Sequence, residues 1–149
     1  IDQCSRCLLN RARRAAFTIR IIAPGFVLAG LLHVFLGLGA DVMLGADIPA
    51  SVLNDASLDS QNRFYGISFT VYGVLLWIAS TDLARYRTLL RVLILWFFLG
   101  GVMRLVSIAL KGWPSNLVWA LALSELLLPP VLWWMLRREE KAGQDQPRH

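Results

Sequence analysis

Most of what soluble catalysis requires is missing from this chain. It has no glycine-rich nucleotide loop, no set of metal ligands, no haem-type C-x-x-C-H and no Ser/His/Asp order that survives placement on helices. No cofactor is therefore expected. Cysteine and histidine are scarce, at two residues each in 149. Cys4 and Cys7 form a lone C-x-x-C with no second pair and no following strand and helix. They are read as reduced thiols or terminal sequence, and no structural disulfide is expected. Ile1 stands where a native start would carry Met, so the first residues are expected to be partial sequence.

Acidic residues are also few, ten against fifteen Lys and Arg, giving a net charge of +5. Such a surplus would suit nucleic acid, but its distribution argues otherwise. Arg6, Arg11, Arg13, Arg14 and Arg20 precede or open the first apolar run, and Arg85, Arg87 and Arg91 lie between the second and third. Arg137, Arg138, Lys141 and Arg148 follow the last, leaving Arg63 and Lys111 on the other side and Arg104 within a run. That asymmetry is the positive-inside pattern, with both termini cytoplasmic and the basic loops against anionic headgroups. The partner this implies is a lipid bilayer, not nucleic acid.

What the chain does have is apolar sequence. It is 56% hydrophobic with a mean hydropathy of +0.55, more apolar surface than a soluble chain this small could bury. The expected fold is all-α, an integral membrane four-helix bundle with spans at about 18–40, 58–80, 89–110 and 117–136. Residues 1–17 form a basic lead-in on the membrane surface, residues 18–138 a single membrane domain, and residues 139–149 a polar tail left without structure. A secretory signal in place of the first span is the competing reading. Its apolar run is longer than a usual signal core, and His33 with its flanking glycines would be wasted in a discarded peptide.

The two runs from Leu89 to Leu136 carry one arginine and one glutamate where a charge should not be. The short link Lys111-Gly112-Trp113-Pro114-Ser115-Asn116 makes them antiparallel neighbours. At about 1.5 Å rise per residue, Arg104 lies roughly 10 Å and Glu125 roughly 12 Å below the same end. Opposite charges at one depth in hydrocarbon are expected to pair. Pro129 and Pro130 free the carbonyls of Glu125 and Leu126 and predict a kink just below Glu125. The pair is either a static register device or a ligand or proton site.

Other polar residues fall at the same outer level. Gly30, His33 and Gly37 share one face of the first span, where small residues admit a neighbouring helix. His33 is either a hydrogen-bonded packing residue or a relay. Asp41 to Asn62 carries four acids, with Ile48 to Leu53 resting at the interface, and Ser57 is the expected N-cap of the second span. Asp59 and Arg63 can pair at i, i+4, while Arg63 and Tyr65 suit the headgroup level. Gly66, Phe69, Gly73 and Trp77 form a second small-and-aromatic stripe. In the third span Gly100, Arg104, Ser107 and Lys111 share one face, a positive ladder descending from the outside. Trp133, Trp134, Arg137 and Arg138 close the fourth span as an interfacial anchor.

Arg63-Phe64-Tyr65-Gly66, Arg104 with Ser107, Gly112 and Pro114, and Glu125 together resemble a group of small bacterial four-span proteins catalogued as a domain of unknown function, related to the DoxX-like membrane proteins. The resemblance covers roughly Ile21 to Leu136. It implies a four-helix bundle of the bacterial inner membrane, not an activity. Some DoxX-like proteins are subunits of quinone-linked oxidoreductases, but no redox motif here matches one.

The reading that follows is one polar centre in the outer half of the bundle, made of Arg104, Glu125, His33, Arg63, Ser107 and Tyr65. Its expected function is a non-catalytic membrane module that binds a lipid, quinone-like or other amphiphilic molecule, or serves as an accessory subunit to a membrane protein partner. A small proton-coupled transporter using Glu125 is one alternative. An intramembrane isomerase using Glu125 and His33 as acid and base is another, and it requires both side chains to face one cavity.

Overall fold

A computed structural model describes the backbone of residues 2–144 and the side chains of residues 13–137. The Cys4–Cys7 motif and the tail side chains from Glu139 to His149 lie outside the described side chains. Every regular element among the described residues is a helix: α1 (Asp2–Leu36), α2 (Gly39–Met43), α3 (Ala50–Leu53), α4 (Ala56–Ala79), α5 (Arg87–Lys111) and α6 (Asn116–Gln144).

The basic lead-in and the first apolar run form one helix. Nothing between Arg11 and Arg20 breaks a helix, since Ala and Arg are among the best helix formers, and Pro24 is accommodated inside α1. The helix stops four residues short of the expected Ala40, at Gly37, whose φ of +55° only glycine adopts cheaply. Space enforces the same choice, because a Cβ at Gly37 would overlap the Asp59 carboxylate. The N-cap of α4 is Asp55 and not Ser57. Its Oδ1 accepts from the backbone N–H of Ser57 at 2.8 Å and of Leu58 at 3.0 Å. A carboxylate adds charge to the capping bond at the positive end of the helix, so it outcompetes the hydroxyl two residues on. At the other end of the chain, α6 continues helically through Pro129–Pro130 and on to Gln144.

Packing proceeds in pairs. α1 lies along α4, α5 along α6, and smaller contacts join α1 to α6 and α4 to α5. Glycines set the first seam. A Cβ at Gly66 would stand 2.8 Å from the Gly30 carbonyl and the Val34 nitrogen, and one at Gly73 would stand 2.7 Å from the Ala23 carbonyl. Backbone therefore meets backbone, the close approach that small residues permit between membrane helices. The pairs meet in a core where α4 finishes and α5 begins, level with the middle of α1 and the later turns of α6. There Ile19, Ala23, Leu76, Ala79, Leu90, Ile94 and Leu136 are buried together. Phe26 sits edge-on to Tyr72 and Phe97, with ring centroids 4.9 and 5.1 Å apart. The Tyr72 hydroxyl donates to the Leu93 carbonyl at 3.1 Å, a direct tie from α4 to α5.

Three stretches are long and apolar enough to cross a membrane: Arg13–Leu36, Arg87–Lys111 and Asn116–Arg137. In each, only 17% of the most apolar window is buried by the rest of the chain. So much outward-facing Leu, Val and Phe needs lipid around it. The fourth long helix, α4, falls short in hydropathy because Ser57, Asp59, Ser60, Gln61, Asn62 and Arg63 fill its first turns.

Candidate functional site

Helices α5 and α6 meet at a buried carboxylate. Gly112, at φ +94°, ends α5, and the following three residues bring α6 back antiparallel. Arg104 on the descending helix and Glu125 on the returning one thereby reach the same level. Arg104 Nε donates to Glu125 Oε2 at 2.7 Å. Gly101 makes the room: a Cβ there would come within 2.9 Å of the Glu125 Cβ, and one at Gly100 would lie 3.6 Å from its Oε2. The glutamate side chain is 5% exposed and the arginine 29%. A charge-assisted bond this short offsets much of the cost of holding either ion away from water. Nε is the one Arg104 donor with a hydrogen-bond partner among the described residues.

The other expected members of the centre sit elsewhere. His33, Arg63, Asp59, Asp41 and Asn62 form a second cluster where α1, α2 and α4 meet. Arg63 Nη1 donates to the carbonyls of Val34 at 2.7 Å and Phe35 at 3.1 Å, and its Nε bonds Asp59 Oδ2 at 2.7 Å. Asp59 Oδ1 in turn accepts from the Leu38 N–H at 3.1 Å. Arg63 and Asp59 thus finish the last turn of α1, a cation on its final carbonyls and an anion on the first amide past Gly37.

His33 Nδ1 faces the Ala29 carbonyl at 2.7 Å, and a carbonyl only accepts, so Nδ1 carries the hydrogen. Nε2 lies 3.3 Å from Asp41 Oδ1, a contact that attracts when a hydrogen sits on either atom. The second oxygen of Asp41 accepts from Asn62 Nδ2 at 2.8 Å. Tyr65 is exposed beside the Phe64 ring, and Ser107 is exposed on α5.

The six residues therefore divide. Arg104 and Glu125 are brought together, His33 and Arg63 belong to the α1–α4 corner, and Tyr65 and Ser107 stand on the surface. No hydrogen bond or ion pair joins the two clusters among the described residues. Sequence reasoning passed over Asp41 as the partner of His33 and of Asn62, and, having paired Asp59 with Arg63, missed that Asp59 also caps α1. The spacing of Asp59 from Arg63 was the available signal. Nothing local marked Asp41, whose partner Asn62 is 21 residues away. Groups of three or more His, Cys, Asp or Glu arranged to hold a metal are absent among the described residues.

No curated protein and no solved structure matches this chain. One family does, over residues 15–136, a stretch that takes in both helix pairs and the Arg104–Glu125 seam between α5 and α6. The chain belongs to that family, described as domain of unknown function DUF4345.

Proposed function

We propose that this is a non-catalytic module of the bacterial inner membrane, spanning it four times through α1, α4, α5 and α6 with both termini in the cytoplasm. It binds an amphiphilic molecule, a lipid or quinone-like compound, whose polar head meets Arg104. Support for the orientation comes from charge. Arg13, Arg14, Arg20, Arg85, Arg87, Arg91 and Arg137 gather at one end of the helices, while Asp41, Asp47, Asp55 and Asp59 lie in or beside the connection at the other. Support for α4 as a span comes from its 24 residues lying along α1, with its polar first turns at the level of the acidic connection.

The observation that carries the binding reading is the partial use of Arg104. Its guanidinium gives one N–H to Glu125 while the side chain stays 29% exposed, in a stretch between Arg91 and Lys111 that carries no other charge. Glu125 balances the charge, so a ligand meets spare, coplanar N–H donors and little net charge. That suits a carbonyl or ester head better than a bare anion.

The test compares wild type with Arg104→Lys and with the pair Arg104→Met plus Glu125→Met, each extracted in mild detergent and assayed by mass spectrometry for retained molecules. The double change removes both ions at once and avoids leaving one buried alone. Wild type is expected to keep an amphiphile that both variants lose. The same molecule recovered in equal amount from all three overturns the reading. A protein co-purifying with the same dependence on Arg104 would turn it toward an accessory subunit.

A further inference from the structure

At the end opposite the Arg104–Glu125 pair, α1, the α4–α5 turn and the end of α6 enclose a cleft of about 580 Å³. This lies inside the range of roughly 300–1,000 Å³ usual for small-molecule sites. Arg13, Arg20 and Arg87 line it, with Asp82 the acidic residue among them and Phe17, Leu83 and Leu136 supplying apolar wall. The three arginines come from positions far apart in sequence. Arg13 and Arg20 are two turns apart on one face of α1, and Arg87 opens α5.

One of these arginines is held in place by the fold. Arg20 Nε donates to Ser80 Oγ at 3.3 Å, and that hydroxyl donates to the Trp77 carbonyl at 2.7 Å. Ser80 is 2% exposed, buried beside the core that joins the helix pairs. Its hydroxyl thus fixes the base of Arg20 and leaves the rest of the guanidinium at the cleft.

Position decides what such a cleft would meet. The three apolar stretches begin or end at Arg13, Arg87 and Arg137, so the cleft opens where hydrocarbon gives way to headgroups. Two or three guanidinium groups with an apolar wall beneath them match a phosphate on top of an acyl chain.

We propose that this cleft is a phosphate-binding site built from Arg13, Arg20 and Arg87, taking the phosphate of an anionic lipid headgroup or of a soluble phosphate compound. It is independent of the Arg104–Glu125 reading, since the two sites lie at opposite ends of the helices and differ in the charge they offer.

The experiment uses the full chain in nanodiscs of phosphatidylglycerol mixed with phosphatidylcholine, with retained lipid counted by native mass spectrometry. A second arm titrates inorganic phosphate into nanodiscs of phosphatidylcholine alone. Arg13→Gln with Arg20→Gln is compared with Arg14→Gln plus Arg137→Gln, which removes the same two charges at the same end but outside the cleft. All four positions are exposed, and a thermal melt confirms that each variant folds.

Selective retention of phosphatidylglycerol that falls roughly tenfold or more in the first variant and little in the second supports the lipid source. Saturable binding of inorganic phosphate with the same dependence supports a soluble source. Equal loss in both variants, or no retention of phosphatidylglycerol beyond its share of the bilayer together with no saturable binding of inorganic phosphate, overturns the site and leaves only diffuse attraction to a charged surface.

Discussion

Glu125 is the residue with the most to lose. It is buried against Gly100 and Gly101 with one cation beside it. Glu125→Leu should therefore leave Arg104 uncompensated and destabilise the protein by about 3–5 kcal/mol, measured by thermal unfolding in detergent. Adding Arg104→Met to that change should recover most of the loss, because a paired apolar replacement removes both desolvation penalties. If the single and double variants melt together, the pair is not an ionic unit. That these two residues meet was legible in the sequence, since both depths could be counted from one six-residue link. The places of His33 and Arg63 were not. Rise per residue gives depth but not azimuth, so residues at one level on four helices look like one centre until the pairing of the helices is known. Local chemistry separates them: Arg63 is consumed by the end of α1, and His33 by Ala29 and Asp41.

Among the elements, the α1–α4 seam makes the sharpest demand. Gly66→Ala would place a methyl 2.8 Å from backbone atoms of α1, which no side-chain rotation relieves. Overpacking of this kind costs about 1–3 kcal/mol. Gly25 lies inside the same helix α1 with nothing within 4 Å of its would-be Cβ. Gly25→Ala should be neutral or stabilising by about 0.5–1 kcal/mol through helix propensity alone. Melting both variants side by side checks the assignment, and equal behaviour would mean that α1 and α4 are not in backbone contact. The small-residue faces of both helices could be read from the sequence because spacing of three and four residues defines a face. The Asp55 cap and the single long α1 could not be read so directly. Ser57 and Asp55 compete for the same amides, and no glycine or proline marked an end to the lead-in before Pro24.

For the whole molecule, three apolar helices and one more polar helix are held at one end by a shared core and at the other by separate polar clusters. Hydropathy alone counted four runs, and α4 now stands apart because Arg63 and Asp59 work for the end of α1 and Asn62 for Asp41 of α2. The cleft near Arg20 was out of reach of sequence reading for a simpler reason, since Arg20 and its partner Ser80 are 60 residues apart.

Each helical pair carries its own clasp, Arg63 with Asp59 in one and Arg104 with Glu125 in the other. Consecutive halves of the chain thus each come close to a self-sufficient unit, and the turn between α4 and α5 is a hinge pin more than a structural member. A gene severed between Arg85 and Tyr86, with the two pieces expressed together, should yield fragments that find each other in the bilayer and purify as one complex. Gly66→Ala, introduced into the first fragment, should weaken that reunion indirectly, by disturbing its own half before the halves ever meet.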